Sequence, residues 1–300
     1  AMAVVDTNNG AVLAMIGGRD YTVRRGLNRA TQMRRQPGSA LKPLAVYGPA
    51  LELGYTTASV LLDEKTSFGG YTPRNAGDRY YGLVTMRTAI RNSLNTTAVR
   101  LLEEIGLDAS IQYLNKMGIP TRNSDRNLSL ALGSMTYGVT PVELAAAYVP
   151  YANGGIYHQP YCVERIETVD GSNVYERKDS GKQVLSAQNA FLMTSLLQSV
   201  VSSGTGTRML AANTPIAGKT GTVSMTGGNR DIWMTAYTPE ISVAVWMGYD
   251  QTDAKHKISN GITGGRNTAS LAAAFFKKAY ADREKPDFSQ PDGLVWLTLD

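Results

Sequence analysis

Three short motifs in this chain of 300 residues place hydroxyl, amine and amide groups at spacings that suit nucleophilic chemistry. A serine hydroxyl is a poor nucleophile until a neighbouring base takes its proton, and a lysine amine is one group that acts as such a base. The ordered set therefore predicts a serine nucleophile served by lysine. In chain order the motifs are Ser39-Ala40-Leu41-Lys42, Ser93-Leu94-Asn95 and Lys219-Thr220-Gly221-Thr222, and each occurs once.

The first motif is predicted to begin a helix. Pro37 and Gly38 form a turn, and Ser39 is a residue type that commonly opens helices. Residues three apart on a helix share a face, so Ser39 and Lys42 are expected to point the same way. Helix capping alone would also explain a serine at this position. A catalytic role for Ser39 and Lys42 is therefore supported only when the other two motifs are considered with them.

Lysine is the available base because the two histidines are poorly placed. His158 and His256 lie in turn-like surroundings, which predicts surface or structural roles. A free lysine has a pKa of about 10.4, and lowering it to near 7 costs about 4 kcal/mol. Burial and a second ammonium group both act in that direction, and Lys219 is a candidate for the second charge.

The order of predicted elements indicates an α/β protein of the α+β type. The simplest assembly is one antiparallel sheet built from both chain ends, in a single domain over 1–300, with helices packed on it. The sheet part comprises 1–38 and 186–285, and a mostly helical insert covers 43–185. Predicted elements are a hairpin over 1–18, helices over 40–53, 85–105, 108–117, 140–152, 186–203 and 267–281, an ordered loop over 66–83, a hairpin over 160–185 and three late strands with a turn at 238–240.

The three motifs form a set that is typical of penicillin-binding proteins and class A β-lactamases, although Leu94 stands where the usual second motif has aspartate. With its flanking phrases the chain resembles the transpeptidase domain of bifunctional class A penicillin-binding proteins, over nearly all of its length. The phrases are AMAVVDTNNGAVLAMIGG, QPGSALKP, RNSLNTTAV, LALGSMTYGVTPVELAAAYVPYANGG, GKTGT and DIWMTAYTPEISVAVWMGYD.

The resemblance implies an antiparallel sheet of about five strands flanked by helices, with an inserted all-helical subdomain and a cleft between the two parts. It also implies a role for each motif residue. Ser39 is the nucleophile, Lys42 the general base, Ser93 a proton relay and Lys219 an electrostatic group. Substrate is bound by Asn95, Thr220, Gly221 and Thr222, and the backbone N–H groups of Ser39 and Thr222 form the oxyanion hole. Gly218 and Gly221 are expected to leave the strand backbone open to a peptide.

The implied reaction is D-Ala–D-Ala transpeptidation of peptidoglycan through an acyl-enzyme, inhibited by β-lactams, with no cofactor and no metal. The partners are a donor stem peptide and an amine acceptor. A D-Ala–D-Ala carboxypeptidase is the nearest alternative, followed by a β-lactam-sensing receptor domain. A β-lactamase is disfavoured because a Glu-x-x-Leu-Asn phrase is absent between Ser93 and Lys219.

Composition sets broad limits on function. The net charge of +5 is modest, and the basic residues from Arg24 to Arg35 are not interleaved with aromatics as in nucleic-acid grooves. The single Cys162 excludes an internal disulfide and a thiolate metal site. No apolar run approaches the roughly 20 residues that span a bilayer. We expect an excised fragment from an extracytoplasmic, membrane-anchored protein, whose anchor and glycosyltransferase domain lie upstream.

Two further groups of residues receive predictions. Trp233, Trp246 and Tyr249 are expected in the core of the late strands. Tyr71, Tyr80 and Tyr81 are candidates for lining a peptide cleft, with surface packing as the alternative. The sequence Gly204-Thr205-Gly206-Thr207 lacks the ending of a phosphate-binding loop and is predicted to be an ordinary loop.

Overall fold

The computed structural model describes residues 1–20 and 22–297 of the chain. Its strands are β1 (Met2–Asp6), β2 (Val12–Ile16), β3 (Val60–Asp63), β4 (Gly82–Thr85), β5 (Ile156–Tyr157), β6 (Arg165–Glu167), β7 (Asn173–Glu176), β8 (Lys182–Gln183), β9 (Ala217–Met225), β10 (Gly228–Tyr237) and β11 (Ile241–Gly248). Its α-helices are α1 (Gly48–Glu52), α2 (Met86–Arg91), α3 (Asn95–Ile105), α4 (Leu107–Lys116), α5 (Pro141–Ala152), α6 (Ala187–Ser203) and α7 (Ala269–Ala279). None of the described helices is long and apolar enough to cross a bilayer.

The main sheet joins the two ends of the described chain. Its five strands run in the order β2-β1-β11-β10-β9, and every neighbouring pair is antiparallel. The predicted first hairpin pairs β1 with β2, and β1 also pairs with β11 from the last third of the chain. The predicted α/β fold with a five-stranded antiparallel sheet is confirmed, and β9 forms one edge of that sheet.

The two faces of the sheet pack against different helices. Met234 and Ala236 on β10 belong to one apolar cluster together with Phe276 of α7. Trp233 and Tyr237, which alternate with them, belong to the larger cluster that includes the helices of the middle of the chain. Trp233 and Trp246 are buried as predicted, at 0% and 4% exposure. The prediction for Tyr249 is wrong, because it follows the last residue of β11 and is 43% exposed.

The middle of the chain is mostly helical but also contains three small antiparallel pairs, β3–β4, β5–β8 and β6–β7. The last of these is the hairpin predicted across Asp170 and Gly171. The pair β3–β4 was not predicted, since four residues per strand leave too little alternation to recognise. The helix predicted over 85–105 is interrupted between α2 and α3, where Ser93 adopts a left-handed backbone conformation with φ of 56°.

The segment that carries the first motif starts as a tight turn. Ser39 is the second residue of a 3-10 turn, Gly38–Leu41, so the predicted helical segment begins at this motif, one residue before Ser39 and with 3-10 geometry. Pro43 has no N–H to offer the Ser39 carbonyl, which accepts from the backbone N–H of Lys42 instead. A π-helical stretch, Pro43–Tyr47, follows before α1 begins.

Two tyrosines of α5 donate hydrogen bonds to this irregular segment. The Tyr148 hydroxyl donates to the carbonyl of Ala40 at 2.5 Å, and the Tyr151 hydroxyl donates to the carbonyl of Pro43 at 2.9 Å. Both tyrosines are buried. The Pro43 carbonyl also accepts from the backbone N–H of Gly48, so the two phenol donors add to the irregular backbone bonding and attach this segment to α5.

A contact between two glycines fixes the turn before Ser39. Gly133 has φ of 75°, and a Cβ atom there would lie 2.1 Å from the carbonyl oxygen of Gly38. Gly38 itself has φ of 56°, and a Cβ atom on it would lie 2.8 Å from the carbonyl oxygen of Thr222. The turn is therefore held between the loop at Gly133 and strand β9, with no room for a side chain on either side.

We predict that Gly133→Ala destabilises the chain more than Gly77→Ala does. Gly77 has a similar φ of 70° with nothing within 4 Å of its added Cβ, so both variants bear left-handed strain and only Gly133→Ala adds a clash. Overpacking should add about 1–3 kcal/mol to the loss of unfolding free energy. Urea denaturation measures the difference, and equal losses in the two variants would contradict the tight contact.

Candidate active site

The three motifs converge on the hydroxyl of Ser93. Lys219 Nζ donates to Ser93 Oγ at 2.8 Å, and Lys42 Nζ lies 3.4 Å from the same oxygen. Lys42 comes from the irregular segment after Ser39, Ser93 from the break between α2 and α3, and Lys219 from edge strand β9. Two amines that lie 51 and 126 positions from Ser93 in sequence therefore meet at its hydroxyl, beside the edge of the sheet.

Lys42 is a completely buried amine surrounded by oxygen atoms. Its Nζ donates to the carbonyls of Ser93 and Leu94 at 2.7 and 2.9 Å and to Asn95 Oδ1 at 2.7 Å. Burial lowers the Lys42 pKa well below its usual value, and the nearby positive charge of Lys219 lowers it further. The direction of this change is the one that a general base near neutral pH requires.

Lys219 is also completely buried, and its ammonium group has fewer partners. Besides Ser93 Oγ it donates to the backbone carbonyl of Thr220 at 3.1 Å. Burial lowers the Lys219 pKa to about 7. Two amines thus flank one hydroxyl, and neither has its ordinary affinity for a proton.

The backbone at Ser93 is what allows this arrangement. A positive φ is uncommon for a residue other than glycine and is held only where its surroundings enforce it. Here the conformation ends α2, and the carbonyls of Ser93 and Leu94 both accept from Lys42 Nζ. The strained turn therefore lies directly against one of the two buried lysines.

Asn95 is held by residues that the sequence did not single out. Its backbone N–H donates to Asn75 Oδ1 at 2.7 Å, and its side-chain amide donates to the carbonyl of Arg74 at 2.7 Å. Asn75 in turn donates to Asp63 Oδ1 at 2.7 Å, and Asp63 is 1% exposed. The Asp63 carboxylate also raises the Lys42 pKa, which partly offsets burial and Lys219.

Asp63 and Asn75 are functional-site residues that no sequence pattern revealed. Asp63 ends β3, and Asn75 lies in the loop over 66–83, which was expected to be long and ordered. An aspartate at the end of an apolar strand is the only signal, and it is a weak one. The loop contributes Arg74 and Asn75 to the site, while Tyr71 packs against the core and the Tyr80 hydroxyl donates to Asp78.

The third motif brings its backbone close to the turn that carries Ser39. A Cβ atom at Gly221 would lie 2.3 Å from the carbonyl oxygen of Pro37 and 3.1 Å from the Cβ of Ala40. The turn therefore fills the space that a side chain at position 221 would occupy, while β9 remains an edge strand of the sheet. The close approach brings the backbone of residues 38–39 beside that of Thr222, through the contact of Gly38 described above.

The side chains of the third motif point to two sides. Strand alternation directs Lys219 and Gly221 to one face of β9 and Thr220 and Thr222 to the other. Thr220 is only 6% exposed, and its hydroxyl lies 2.8 Å from that of Thr205. Lys219 and Thr220, neighbours in sequence, therefore have different surroundings.

Among the described residues, Lys42 Nζ has no hydrogen bond to the Ser39 hydroxyl, although the two residues are one turn apart on the same segment. Ser39 is partly exposed, in contrast to the buried Ala40 and Leu41 beside it. A partly exposed serine thus lies three residues before a buried amine that donates to three oxygen atoms. Chemically, it suits the attack of a serine on a carbonyl, with proton transfer along the lysine and serine groups behind it.

The described residues contain no group of three or more histidine, cysteine, aspartate or glutamate side chains that is arranged to hold a metal ion. His158 is buried, with its Nδ1 3.6 Å from the Asp179 carboxylate, and His256 is exposed near Asp253. Cys162 is a free, exposed thiol. None of these residues shares a hydrogen bond with the three motifs in the part of the chain that the structure describes.

The curated proteins that this chain resembles in sequence include penicillin-binding proteins of two bacteria. The chain is 45% identical over 261 residues to penicillin-binding protein 1F of Bacillus subtilis, covering 86% of this chain and 36% of the relative. It is 31% identical to penicillin-binding protein 1A of Pseudomonas aeruginosa, covering 100% of this chain and 42% of that protein. The chain therefore spans less than half the length of these relatives.

Solved structures share the fold over almost the whole chain. The crystal structure of penicillin-binding protein 1A from Haemophilus influenzae matches 98% of this chain and 49% of its own, with a TM-score of 0.84 and 27% identity. PonA1 from Mycobacterium tuberculosis, solved in complex with penicillin V, matches 98% of this chain and 81% of its own, with a TM-score of 0.82 and 25% identity. The family described as penicillin binding protein transpeptidase domain matches residues 1–281. This chain belongs to the penicillin-binding protein transpeptidase family.

Proposed function

We propose that this domain cross-links peptidoglycan by D-Ala–D-Ala transpeptidation through an acyl-enzyme on Ser39. The observation that carries the proposal is the convergence of Lys42 and Lys219 on Ser93, with Lys42 on the same short segment as the partly exposed Ser39. Family membership and the PonA1 complex with penicillin V support the same chemistry. The substrate is a stem peptide that ends in D-Ala–D-Ala, and β-lactams acylate the same serine.

Acylation begins with the neutral form of Lys42. The lowered pKa leaves its amine with a free electron pair, and the amine then accepts the proton from Ser39 Oγ as that oxygen attacks the penultimate D-Ala carbonyl. The bond from Ser39 Oγ to carbon forms, and the carbonyl oxygen becomes negative. The backbone N–H groups of Ser39 and Thr222 are the proposed donors to this oxyanion, and removing one such donor typically costs about 10²–10³ in rate.

Collapse of the intermediate requires a proton on the departing amine. Ser93 Oγ lies between Lys42 Nζ and Lys219 Nζ, which suits a relay in which Ser93 gives its proton to the leaving D-Ala nitrogen and recovers one from a lysine. The carbon–nitrogen bond breaks, and the acyl group stays on Ser39. An acceptor amine then attacks the acyl carbonyl in the reverse sense, which regenerates the Ser39 hydroxyl and forms the cross-link.

Substrate positioning is assigned to Asn95 and the third motif. The Asn95 side chain is proposed to bond the substrate amide, which requires it to exchange its present contact with the Arg74 carbonyl. Lys219, Thr220, Gly221 and Thr222 are proposed to bind the region of the terminal carboxylate, with Lys219 supplying positive charge. Water in place of the acceptor amine would make the domain a carboxypeptidase, which is the second candidate.

The cellular location of the domain and the composition of the full-length protein are part of the same proposal. The peptidoglycan substrate is outside the cytoplasmic membrane, so the domain is proposed to be extracytoplasmic, in the cell envelope. An upstream glycosyltransferase domain and a membrane anchor in the full-length protein are also proposed, because the chain spans only 36% and 42% of its two relatives.

We predict that penicillin adds one acyl group to this chain and that Ser39→Ala abolishes the adduct. Intact mass spectrometry measures the adduct, and Ser134→Ala, which removes an exposed serine in the neighbouring loop, is the matched control. An adduct that persists for many minutes supports a transpeptidase or carboxypeptidase, whereas rapid loss of penicillin without an adduct would indicate a β-lactamase. An unchanged adduct in Ser39→Ala would contradict the assignment.

Reaction of a D-Ala–D-Ala peptide in the presence of an amine then separates the two leading candidates. Transpeptidation predicts a peptide–amine product that grows with amine concentration at the expense of the hydrolysed peptide. Hydrolysis alone at every amine concentration would favour the carboxypeptidase.

Another prediction concerns the pH dependence of acylation. If Lys219 acts as a cation, the second-order rate constant of acylation by a carboxylate-bearing penicillin should fall as pH rises through about 7, where Lys219 loses its proton. Lys219→Arg stays charged throughout, so it should lose this alkaline decline even if its rate is lower. Stopped-flow measurements between about pH 6 and about pH 9 test this. A wild-type rate that keeps rising across this range would contradict a cationic role.

A further inference from the structure

Helix α3 begins at Asn95 without a cap from its own sequence. Leu94, the residue before it, has no side-chain oxygen and makes no capping hydrogen bond. The first backbone N–H groups of a helix have no partner inside the helix, so they need an acceptor from elsewhere. Asn75 supplies that acceptor from the loop over 66–83, because its Oδ1 accepts from the N–H groups of Asn95 at 2.7 Å and of Thr96 at 3.3 Å.

The side chain of Asn75 is also fixed at its other end. Its Nδ2 donates to Asp63 Oδ1 at 2.7 Å and to the carbonyl of Arg79 at 2.9 Å. The Thr96 hydroxyl donates to the same carboxylate oxygen, which ties the first turn of α3 to β3 directly. Asn75 and Asp63 are 5% and 1% exposed, so losing one of these partners would leave a buried polar group unpaired. The oxygen of Asn75 therefore faces α3, and its amide nitrogen faces Asp63.

The same loop orients the side chain of Asn95. Asn95 Oδ1 accepts from Lys42 Nζ at 2.7 Å, and Asn95 Nδ2 donates to the carbonyl of Arg74 at 2.7 Å. Arg74 directly precedes Asn75, so one short stretch of the loop holds both the backbone and the amide of Asn95. Side chains that bind a substrate act best when neighbouring contacts fix their rotamers in advance. Asn75 is placed to provide that support for Asn95.

We propose that Asn75 is a positioning residue that holds Asn95 where its side-chain amide meets the amide of the acyl donor, with Asp63 as the anchor of Asn75. This inference rests on the proposed function, because it concerns the contact between Asn95 and the donor. Neither Asn75 nor Asp63 touches the donor in this arrangement. The donor class is an acyl donor with an amide group near the reacting carbonyl, which a stem peptide and a penicillin with an acylated side chain share.

The test compares acylation of Ser39 by benzylpenicillin and by aminopenicillanic acid. The two compounds share the β-lactam nucleus and its carboxylate, but only benzylpenicillin carries a side-chain amide. A general loss of reactivity at Ser39 or Lys42 slows acylation by both compounds, whereas a misplaced Asn95 slows mainly acylation by benzylpenicillin. The readout is therefore the ratio of the two second-order rate constants, benzylpenicillin over aminopenicillanic acid.

The variants form a double-mutant cycle of Asn75→Ala, Asn95→Ala and both changes together. Asn123→Ala, which changes an exposed asparagine outside this network, is the matched control. Thermal unfolding establishes that each variant is folded under the assay conditions. Asn75→Ser, which keeps a shorter oxygen acceptor, takes the place of Asn75→Ala if loss of the helix cap unfolds the chain.

We expect Asn95→Ala to lower the ratio about 3- to 10-fold, as the loss of one neutral hydrogen bond predicts. Asn75→Ala should lower the ratio by at least about twofold, because Asn95 keeps its amide but not its position. The double variant should have the same ratio as Asn95→Ala alone, since a residue that acts only through Asn95 has no further effect once that side chain is removed. Asn123→Ala should keep the wild-type ratio.

Two results would overturn the role of Asn75 alone. An unchanged ratio in Asn75→Ala, beside a lowered ratio in Asn95→Ala, would mean that Asn75 only supports the fold. A further fall of the ratio in the double variant would mean that Asn75 acts by a route other than Asn95. Failures of the proposed function are distinct from these. An unchanged ratio in Asn95→Ala would remove the Asn95 contact on which the inference rests, and a wild type that neither compound acylates would overturn the acyl-enzyme itself.

Discussion

Two buried lysine amines around one serine hydroxyl impose the main physical constraint on this structure. Removing an ammonium group from water is costly, and a second positive charge nearby adds to that cost. The structure accommodates Lys42 with two backbone carbonyls and Asn95 Oδ1, and the nearby Asp63 carboxylate opposes the lowering of its pKa. Lys219 has only Ser93 and a backbone carbonyl, and burial brings its pKa to about 7. The lowered pKa of Lys42 suits a base, and a Lys219 pKa of about 7 leaves that amine able to carry a charge near neutral pH.

Several irregular backbone segments surround these two lysines. Ser93 has a left-handed conformation, and its own carbonyl and that of Leu94 accept from Lys42 Nζ. The turn before Lys42 has 3-10 geometry and the stretch after it has π geometry, and Tyr148 donates to a carbonyl within the turn. Gly133 allows the loop beside it to touch the turn. Strain gathered around one site in a regular scaffold is typical of functional sites.

The sequence by itself determined the family and most of the regular elements. Alternating apolar residues predicted the first hairpin and the late strands, and Ser186 marked the start of α6, where its side chain accepts from the N–H of Asn189. These features are local, because hydrophobic period and capping depend on residues that are close in sequence. The motifs could be recognised for a similar reason, since each fits within four residues of chain.

The tertiary structure alone decided how those pieces meet. Lys219 contacts Ser93 across 126 positions of sequence, and Asn95 is oriented by Asn75 and Asp63 from a separate strand and loop. Thr205 came from a stretch without a recognised signature and lies beside Thr220. Contacts of this kind have no period and no fixed spacing, because they depend on how distant segments pack. The sequence therefore indicated which residues are candidates for the reaction, whereas their burial, hydrogen-bond partners and pKa values arose only when the sheet and helices packed together.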